Sequence, residues 1–331
     1  LPTPLQPLPR LSSAIGDAEL WVKRDDCTGL ALGGNKTRQL EFTLGDALAR
    51  GADCVIQGAG AQSNHCRQAA AAAAKLGLDC HLVLARDERG DGGDASAETP
   101  QGNLLLDRIL GAKIHWTDSA MGAPLEAEKN ALAEKLRAEG RRPYVIGGPR
   151  GKLLGAAAYA LQLCELLEQC EELGIRGKGG QPGPDYLYVC SAGATHAGLV
   201  FAARALGVSF PIQAIAPIVW GYDVPAAVAG VANALAAELG VEVEVDPGTL
   251  RHSEAYVGPG YGRLTREARV AIELVARTEG LLLDPSYTGK AMAGLIDHLR
   301  RGHVRPGSRV VFIHTGGYPA LFAQAAELIG P

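Results

Sequence analysis

Short apolar runs with a period of two, rich in Val, Ile and Tyr, recur along the chain. They predict strands at 19–23, 54–57, 81–84, 113–116, 144–146, 186–190, 212–216 and 309–314. Between them, apolar positions return every three or four residues. That spacing predicts helices over 37–50, 66–76, 102–110, 124–139, 153–172, 195–206, 225–239, 265–279, 289–300 and 320–329. Regular alternation of strand and helix implies an α/β fold of parallel-rich, open twisted sheets with helices on both faces. Polar, glycine-rich stretches at 86–100 and 176–184 read as surface loops. Breaks near 47 and 155 divide the chain into a larger domain, 1–46 with 156–331, and a smaller one, 47–155.

Composition narrows the classes of function. With 47% apolar and 21% charged residues in 331, the chain has material for sizeable cores and is not expected to be disordered. A net charge of −4 gives no electrostatic reason to expect nucleic acid or an anionic membrane as partner. The seven cysteines form no CxxC pair, and the eight histidines form no HExxH. No metal site is expected, and buried thiols in a reducing, cytoplasmic setting are. Cys66 reads as a small helix residue facing the core.

Three segments carry the chemistry. Lys36, in Gly33-Gly34-Asn35-Lys36-Thr37-Arg38, stands just inside a helix start, where burial and the positive helix end favour a neutral, nucleophilic amine. Gln62-Ser63-Asn64-His65 follows an apolar run and small residues and precedes an alanine-rich helix, an arrangement that cradles anions. Ser191, Ala192, Gly193, Ala194 and Thr195 repeat that geometry after the strand 186–190, with side chains small enough for a phosphate to reach the backbone. A lysine turn with two anion cradles at strand ends points to a phosphorylated cofactor bonded to the lysine. No GxGxxG follows a strand, so a plain nucleotide-binding domain is not indicated.

Nearer the C-terminus, Leu282 to Lys290 (LLDPSYTGK) reads as a strand end, a turn and a helix start that deliver Tyr287 at the turn. Tyr261 lies in the glycine-framed Gly258-Pro259-Gly260-Tyr261-Gly262. Such tyrosines can stack on an aromatic cofactor or exchange a proton with substrate. The buried run Val310-Val311-Phe312-Ile313 ends in His314-Thr315-Gly316-Gly317, where the Thr315 hydroxyl would be a neutral partner for a pyridine nitrogen, suited to β-elimination.

These segments, with LPTPL, KRDDCTG, GGNKTRQLEF, GAQSNHCRQ, AAKLGL, GPGYG, LLLDPSYTGKAMAGLID and FIHTGG, run nearly end to end. Through them the chain resembles the D-cysteine desulfhydrase / 1-aminocyclopropane-1-carboxylate deaminase family of pyridoxal-phosphate enzymes. That family has the two-domain, tryptophan-synthase-β-like fold (fold type II). The resemblance implies pyridoxal phosphate as cofactor, Lys36 as the lysine that bonds it, and Asn64 as partner of its ring hydroxyl. It implies Ser63, with Gln62, Asn64 and His65, at the substrate carboxylate, and residues 191–195 at the phosphate. Tyr287 would stack on the ring with Tyr261 nearby, and the protein would be a homodimer acting on a small amino acid. Lys36, Ser63, Tyr261 and Tyr287 are the expected catalytic residues.

Thr288 and Thr315 resemble the desulfhydrase branch, where the deaminases carry glutamate and leucine. The expected reaction is elimination on D-cysteine. The rivals are an L-cysteate sulfo-lyase, a 1-aminocyclopropane-1-carboxylate deaminase and a non-catalytic carrier of the cofactor. Several residues depart from the family pattern. Gln39 stands where a phosphate-holding lysine is usual, which predicts weaker cofactor binding. Tyr318 replaces a small residue. Arg150 and Lys152, in a stretch read as a loop, read first as a solvated basic turn; if the loop borders the cleft, they could meet a second anion on the substrate.

Overall fold

The computed structural model of the chain describes residues 1–16, 18–86 and 100–329, so most of the stretch read as a loop at 86–100 lies outside the described residues. In chain order its strands are β1 (Leu5–Pro7), β2 (Ala18–Lys23), β3 (Cys54–Gly60), β4 (Asp79–Ala85), β5 (Lys113–Thr117), β6 (Pro143–Val145), β7 (Tyr186–Cys190), β8 (Ile212–Ile215), β9 (Arg251–Ser253) and β10 (Ser308–Ile313). They form two sheets, ordered β1-β2-β10-β7-β8-β9 and β5-β4-β3-β6. Every strand pairing is parallel except β1 with β2. The fold is therefore the α/β arrangement that the alternation implies.

The two-residue period of a strand sends successive side chains to opposite faces, and both faces of the larger sheet are buried. Leu187, Val189, Ala214, Val311 and Ile313 pack with the helices Gly148–Glu172, Ala194–Ala205 and Val224–Leu239. Their neighbours Tyr188, Cys190, Ile215, Val310 and Phe312 pack with Pro9–Ile15, Arg266–Glu279 and Thr288–Arg300. In the smaller sheet Val55, Leu82 and Leu84 face Asn35–Ala49, Asn64–Leu76 and Gly102–Ile109, whereas Ile56 and Val83 face Ala123–Ala138. No helix among the described residues is long and apolar enough to cross a membrane.

Departures from the expected elements have local causes. The edge strands β1 and β9 hold three residues each, too few to show a period. The stretch 148–152, read as a loop, is the start of the helix Gly148–Glu172. Pro149 sits in its first turn, where no intrahelical N–H bond is lost. Residues 281–284, read as a strand end, are irregular chain.

A buried charge cluster binds the helix Asn35–Ala49 to the rest. Arg38 pairs with Asp25 at 2.9 Å and with Glu165 at 2.8 Å, and Lys23 pairs with Glu165. Lys23 Nζ also donates to the Thr3 carbonyl and to Gln169 Oε1, each at 2.6 Å, and the Tyr159 hydroxyl donates to Asp25 at 2.8 Å. Burial acts to raise the Glu165 carboxyl, but hydrogen bonds from Arg38 and Lys23 overcome it and hold it at about 2. Arg38→Ala would remove the cation bonded to buried Asp25 and one of the two bonded to Glu165. It is expected to lower stability by about 3–5 kcal/mol in urea unfolding. The stabilisation from Glu165 is complete above its ordinary value of 4.5 and lost as the pH falls through about 2, so wild-type acid unfolding should begin below pH 4.5 and that component should vanish in Glu165→Gln.

Candidate active site

The carboxyl ends of β3, β7, β8 and β10 open on one cavity of about 230 Å³. Ser63, Asn64 and His65 reach it after β3, Ser191 to Thr195 after β7, and Thr315 and Gly316 after β10. Lys36, Tyr261 and Tyr287 line it as well. Gln62 is the exception among the expected site residues. Its side chain turns to the start of the helix Gly102–Ile109, accepting from the Asn103 N–H at 2.9 Å and donating to the Gln101 carbonyl at 3.1 Å. Those amide bonds satisfy Gln62 away from the cavity, so its expected role toward substrate is withdrawn.

Lys36 is the second residue of its helix, and two backbone approaches fix the turn before it. A Cβ at Gly33, where φ is +65°, would lie 1.8 Å from the Asp26 carbonyl oxygen. A Cβ at Gly316, where φ is +90°, would lie 2.7 Å from Gly34 Cα, and the Asn35 N–H donates to the Thr315 carbonyl at 3.0 Å. The lysine turn and the end of β10 thus touch backbone to backbone, and only glycine fits. Burial lowers the Lys36 ammonium to about 8. His65, buried and close to the positive Lys36 and Lys129, is held well below its usual value and is neutral.

The polar turns present donors. Ser63 caps its helix, with Oγ accepting from the His65 and Cys66 N–H groups at 3.2 Å each, so its own hydrogen is left for another partner. Thr195 Oγ1 accepts from Asn35 Nδ2 at 3.2 Å and from Gln39 Nε2 at 3.0 Å, which likewise leaves its hydrogen to donate. Gly193 gives the helix Ala194–Ala205 no side-chain cap; Ser191 Oγ accepts from the Gly193 N–H at 3.3 Å and the His196 N–H at 3.2 Å, and the N–H groups of Ala194 and Thr195 lack intrahelical partners. Gln39, where a lysine was the usual pattern, therefore orients Thr195 and stands 3.4 Å from Lys36 Nζ.

Both tyrosines depend on the start of the helix Thr288–Arg300. Buried Asp284 accepts from the N–H groups of Ser286, Tyr287 and Thr288 at 2.7–2.9 Å, which shapes the turn that presents Tyr287. Lys290, fully buried, donates to the carbonyls of Val257 at 2.7 Å and Gly260 at 2.9 Å and so anchors the loop of Tyr261. The two phenols hydrogen-bond each other with rings edge to face, 5.9 Å between centroids. Burial raises Tyr261 to about 12 and Tyr287 well above its usual value, so the pair holds its protons at neutral pH.

A sequence model of the family described as pyridoxal-phosphate dependent enzymes matches residues 1–316. The chain belongs to this family. It is 39% identical to a D-cysteine desulfhydrase of Klebsiella pneumoniae (strain 342), over 99% of this chain and 95% of the relative. It is 40% identical to a D-cysteine desulfhydrase of Salmonella typhi, over 97% and 93%. A solved 1-aminocyclopropane-1-carboxylate (ACC) deaminase homologue superposes with a TM-score of 0.85 at 37% identity, covering 99% of this chain and 93% of that one. O-ureido-L-serine synthase shares the fold alone, with a TM-score of 0.66 at 16% identity.

As a member of this family the protein uses pyridoxal phosphate, and the cavity fits it. Lys36 offers an amine that loses its proton near pH 8, the Ala194 and Thr195 N–H groups with the Thr195 hydroxyl offer donors for a phosphate, and Asn64 and Thr315 offer neutral polar groups for the ring. Among the described residues lining the cavity there is no carboxylate, so a ring nitrogen there meets a hydroxyl rather than an anion.

The remaining singled-out residues lie outside the cavity. Arg150 is an exposed, ion-paired residue, bound to Glu238 at 3.0 Å and Asp46 at 3.4 Å, as a solvated basic turn would have it; neither it nor Lys152 lines the cavity. Tyr318 lies outside the cavity, its hydroxyl donating to Asp26. The Thr288 hydroxyl is bonded to Asp284 at 2.7 Å and is not part of the lining. Sequence reasoning missed Met121, Pro217, Ile218 and Trp220, which also line the cavity. They carry no motif; only their place beyond the ends of β5 and β8 could have flagged them.

Two outcomes are expected of Lys36. Lys36→Ala should lose both the yellow colour of the cofactor-bound protein and turnover; normal turnover would remove Lys36 from the chemistry. Capture of pyridoxal phosphate by cofactor-free wild type, followed by stopped-flow absorbance, should accelerate about tenfold per pH unit below pH 8 and level off above it.

Proposed function

We propose that the protein is a lyase that eliminates the β-substituent of a small amino acid, with D-cysteine converted to pyruvate, sulfide and ammonia. The observation that carries this reading is that Lys36 is the sole charged side chain among the described residues lining the cavity. A substrate with one carboxylate and an uncharged side chain suits such a site, and the kinship with two D-cysteine desulfhydrases favours the thiol. Bound pyridoxal phosphate supplies an electron-withdrawing group at the substrate's Cα, which acidifies its proton and lets the β-substituent depart.

The chain's own residues do the rest. The Ser63 hydroxyl and the Asn64 N–H, at a helix start, hold the substrate carboxylate. Lys36 Nζ takes the Cα proton. The Tyr261–Tyr287 pair, protonated at neutral pH, gives a proton to the leaving sulfur. Met121, Ile218 and Trp220 add apolar surface to the lining beside these polar groups. Neither rival substrate finds support in side-chain placement. Arg150 is engaged elsewhere and offers nothing to a sulfonate, and Thr288 is bonded to Asp284 rather than turned to the substrate. Seven free cysteines, all but Cys27 at least partly buried, suit a reducing compartment such as the cytoplasm.

Pyruvate release by the purified yellow protein, offered D-cysteine and L-cysteate in parallel, is expected with D-cysteine alone; turnover of cysteate alone would replace sulfide with sulfite as the leaving group. Tyr287→Phe should lower kcat about 100-fold with the cofactor still bound, as removal of a general acid does. Thr315→Leu should also slow elimination, and an unchanged rate would take Thr315 out of the cofactor's surroundings.

A further inference from the structure

Asn64 lines the cavity, but the groups that decide how its amide faces lie behind it. Arg67, one turn further along the same helix and fully buried, donates through Nη1 to Asn64 Oδ1 at 2.8 Å. A guanidinium only donates, so the Asn64 atom facing it is the oxygen. Asn103, also fully buried, confirms that sense. Its Nδ2 donates to the Gln62 backbone carbonyl at 2.8 Å and to Asn64 Oδ1 at 3.0 Å, while its own oxygen accepts from Arg67 Nη1 at 2.8 Å. With two donors on its oxygen, Asn64 has its N–H groups left for the cavity. Arg67 Nη2 meanwhile donates to the Gly33 carbonyl at 2.7 Å, in the turn that carries Lys36.

We propose that Arg67 is a positioning residue: acting through Asn64, it fixes the amide as an N–H donor toward the cofactor's ring oxygen and ties that donor to the Lys36 turn. This rests on pyridoxal phosphate occupying the cavity. The guanidinium polarises the Asn64 carbonyl and so strengthens the N–H that faces the other way. Among the described residues no carboxylate is bonded to Arg67. Asp107, fully buried nearby, makes no hydrogen bond to Arg67, and neither of its oxygens has a partner among the described residues. Burial raises the Asp107 carboxyl to about 8 despite Arg67, so at neutral pH it is largely protonated.

The test is a double-mutant cycle on cofactor binding rather than on turnover. Cofactor-free wild type, Arg67→Gln, Asn64→Ala and the double variant are titrated with pyridoxal phosphate, and the pH at which the bound cofactor's absorbance changes is recorded for each. Wild-type binding in this series checks the cofactor reading separately. Arg67→Gln should weaken binding about tenfold or more and move the absorbance pH in the same direction as Asn64→Ala. In the Asn64→Ala background, Arg67→Gln should change either quantity by less than about twofold. Additive losses, or a lowered unfolding temperature with wild-type affinity and spectrum, would overturn the proposal. Should Arg67→Gln fail to fold, Asn103→Ala removes the second donor to the same oxygen. It should give a smaller shift in the same direction, and wild-type affinity and spectrum in that variant would overturn the proposal.

Discussion

The site depends first on the buried cluster of Lys23, Asp25, Arg38 and Glu165. It joins the N-terminal segment through Thr3, the end of β2, the helix that bears Lys36 and the long helix Gly148–Glu172. Two cations and two carboxylates share a handful of short bonds inside the protein, with Thr3, Tyr159 and Gln169 satisfying remaining positions. Such a cluster adds little net stability over a well-packed apolar core. What it adds here is definition, since only one placement of the helix satisfies every bond at once. Lys36, two residues before Arg38, inherits that placement.

Much of this was legible in the sequence, for reasons that differ by residue. Lys36, the turn at Ser63 and the run Ser191 to Thr195 stood out because helix starts with glycine or small polar residues leave N–H groups exposed, a local property. Tyr287 and Tyr261 were found by their glycine and proline frames, but not their contact, which depends on Lys290 and Asp284 clamping two loops to one helix. Gln62 misled because its neighbours' chemistry was extended to it. The side chain has a nearer partner in the Gly102–Ile109 helix, and that neighbourhood is set by tertiary packing. Arg150 left two readings open for a related reason. A basic turn cannot be distinguished from a substrate contact until Glu238 and Asp46 are known to lie beside it. Met121 and Trp220 had no signal of their own, because apolar wall residues are defined by where the chain brings them.

The cavity economises on charge. A phosphate held there would be met by N–H groups and hydroxyls, with Gln39 orienting Thr195, because Lys36 is the one lysine among the described lining residues. A neutral His65, two protonated phenols and a threonine surround a single amine whose proton affinity burial has already reduced. In a site of low polarity each remaining dipole acts at greater strength than in water.

The contact between the lysine turn and the end of β10 has a consequence for the order of assembly. β10 lies between β2 and β7 in the larger sheet, so those two strands have no direct partner in each other. Asn35 and Thr315, which meet across that contact, come from opposite ends of the chain. During synthesis, the first strands of the larger sheet must wait for almost the whole polypeptide before their central neighbour arrives. Until then Lys36 is an ordinary solvated ammonium. The lowered proton affinity of its amine therefore appears only when the last strand closes the sheet.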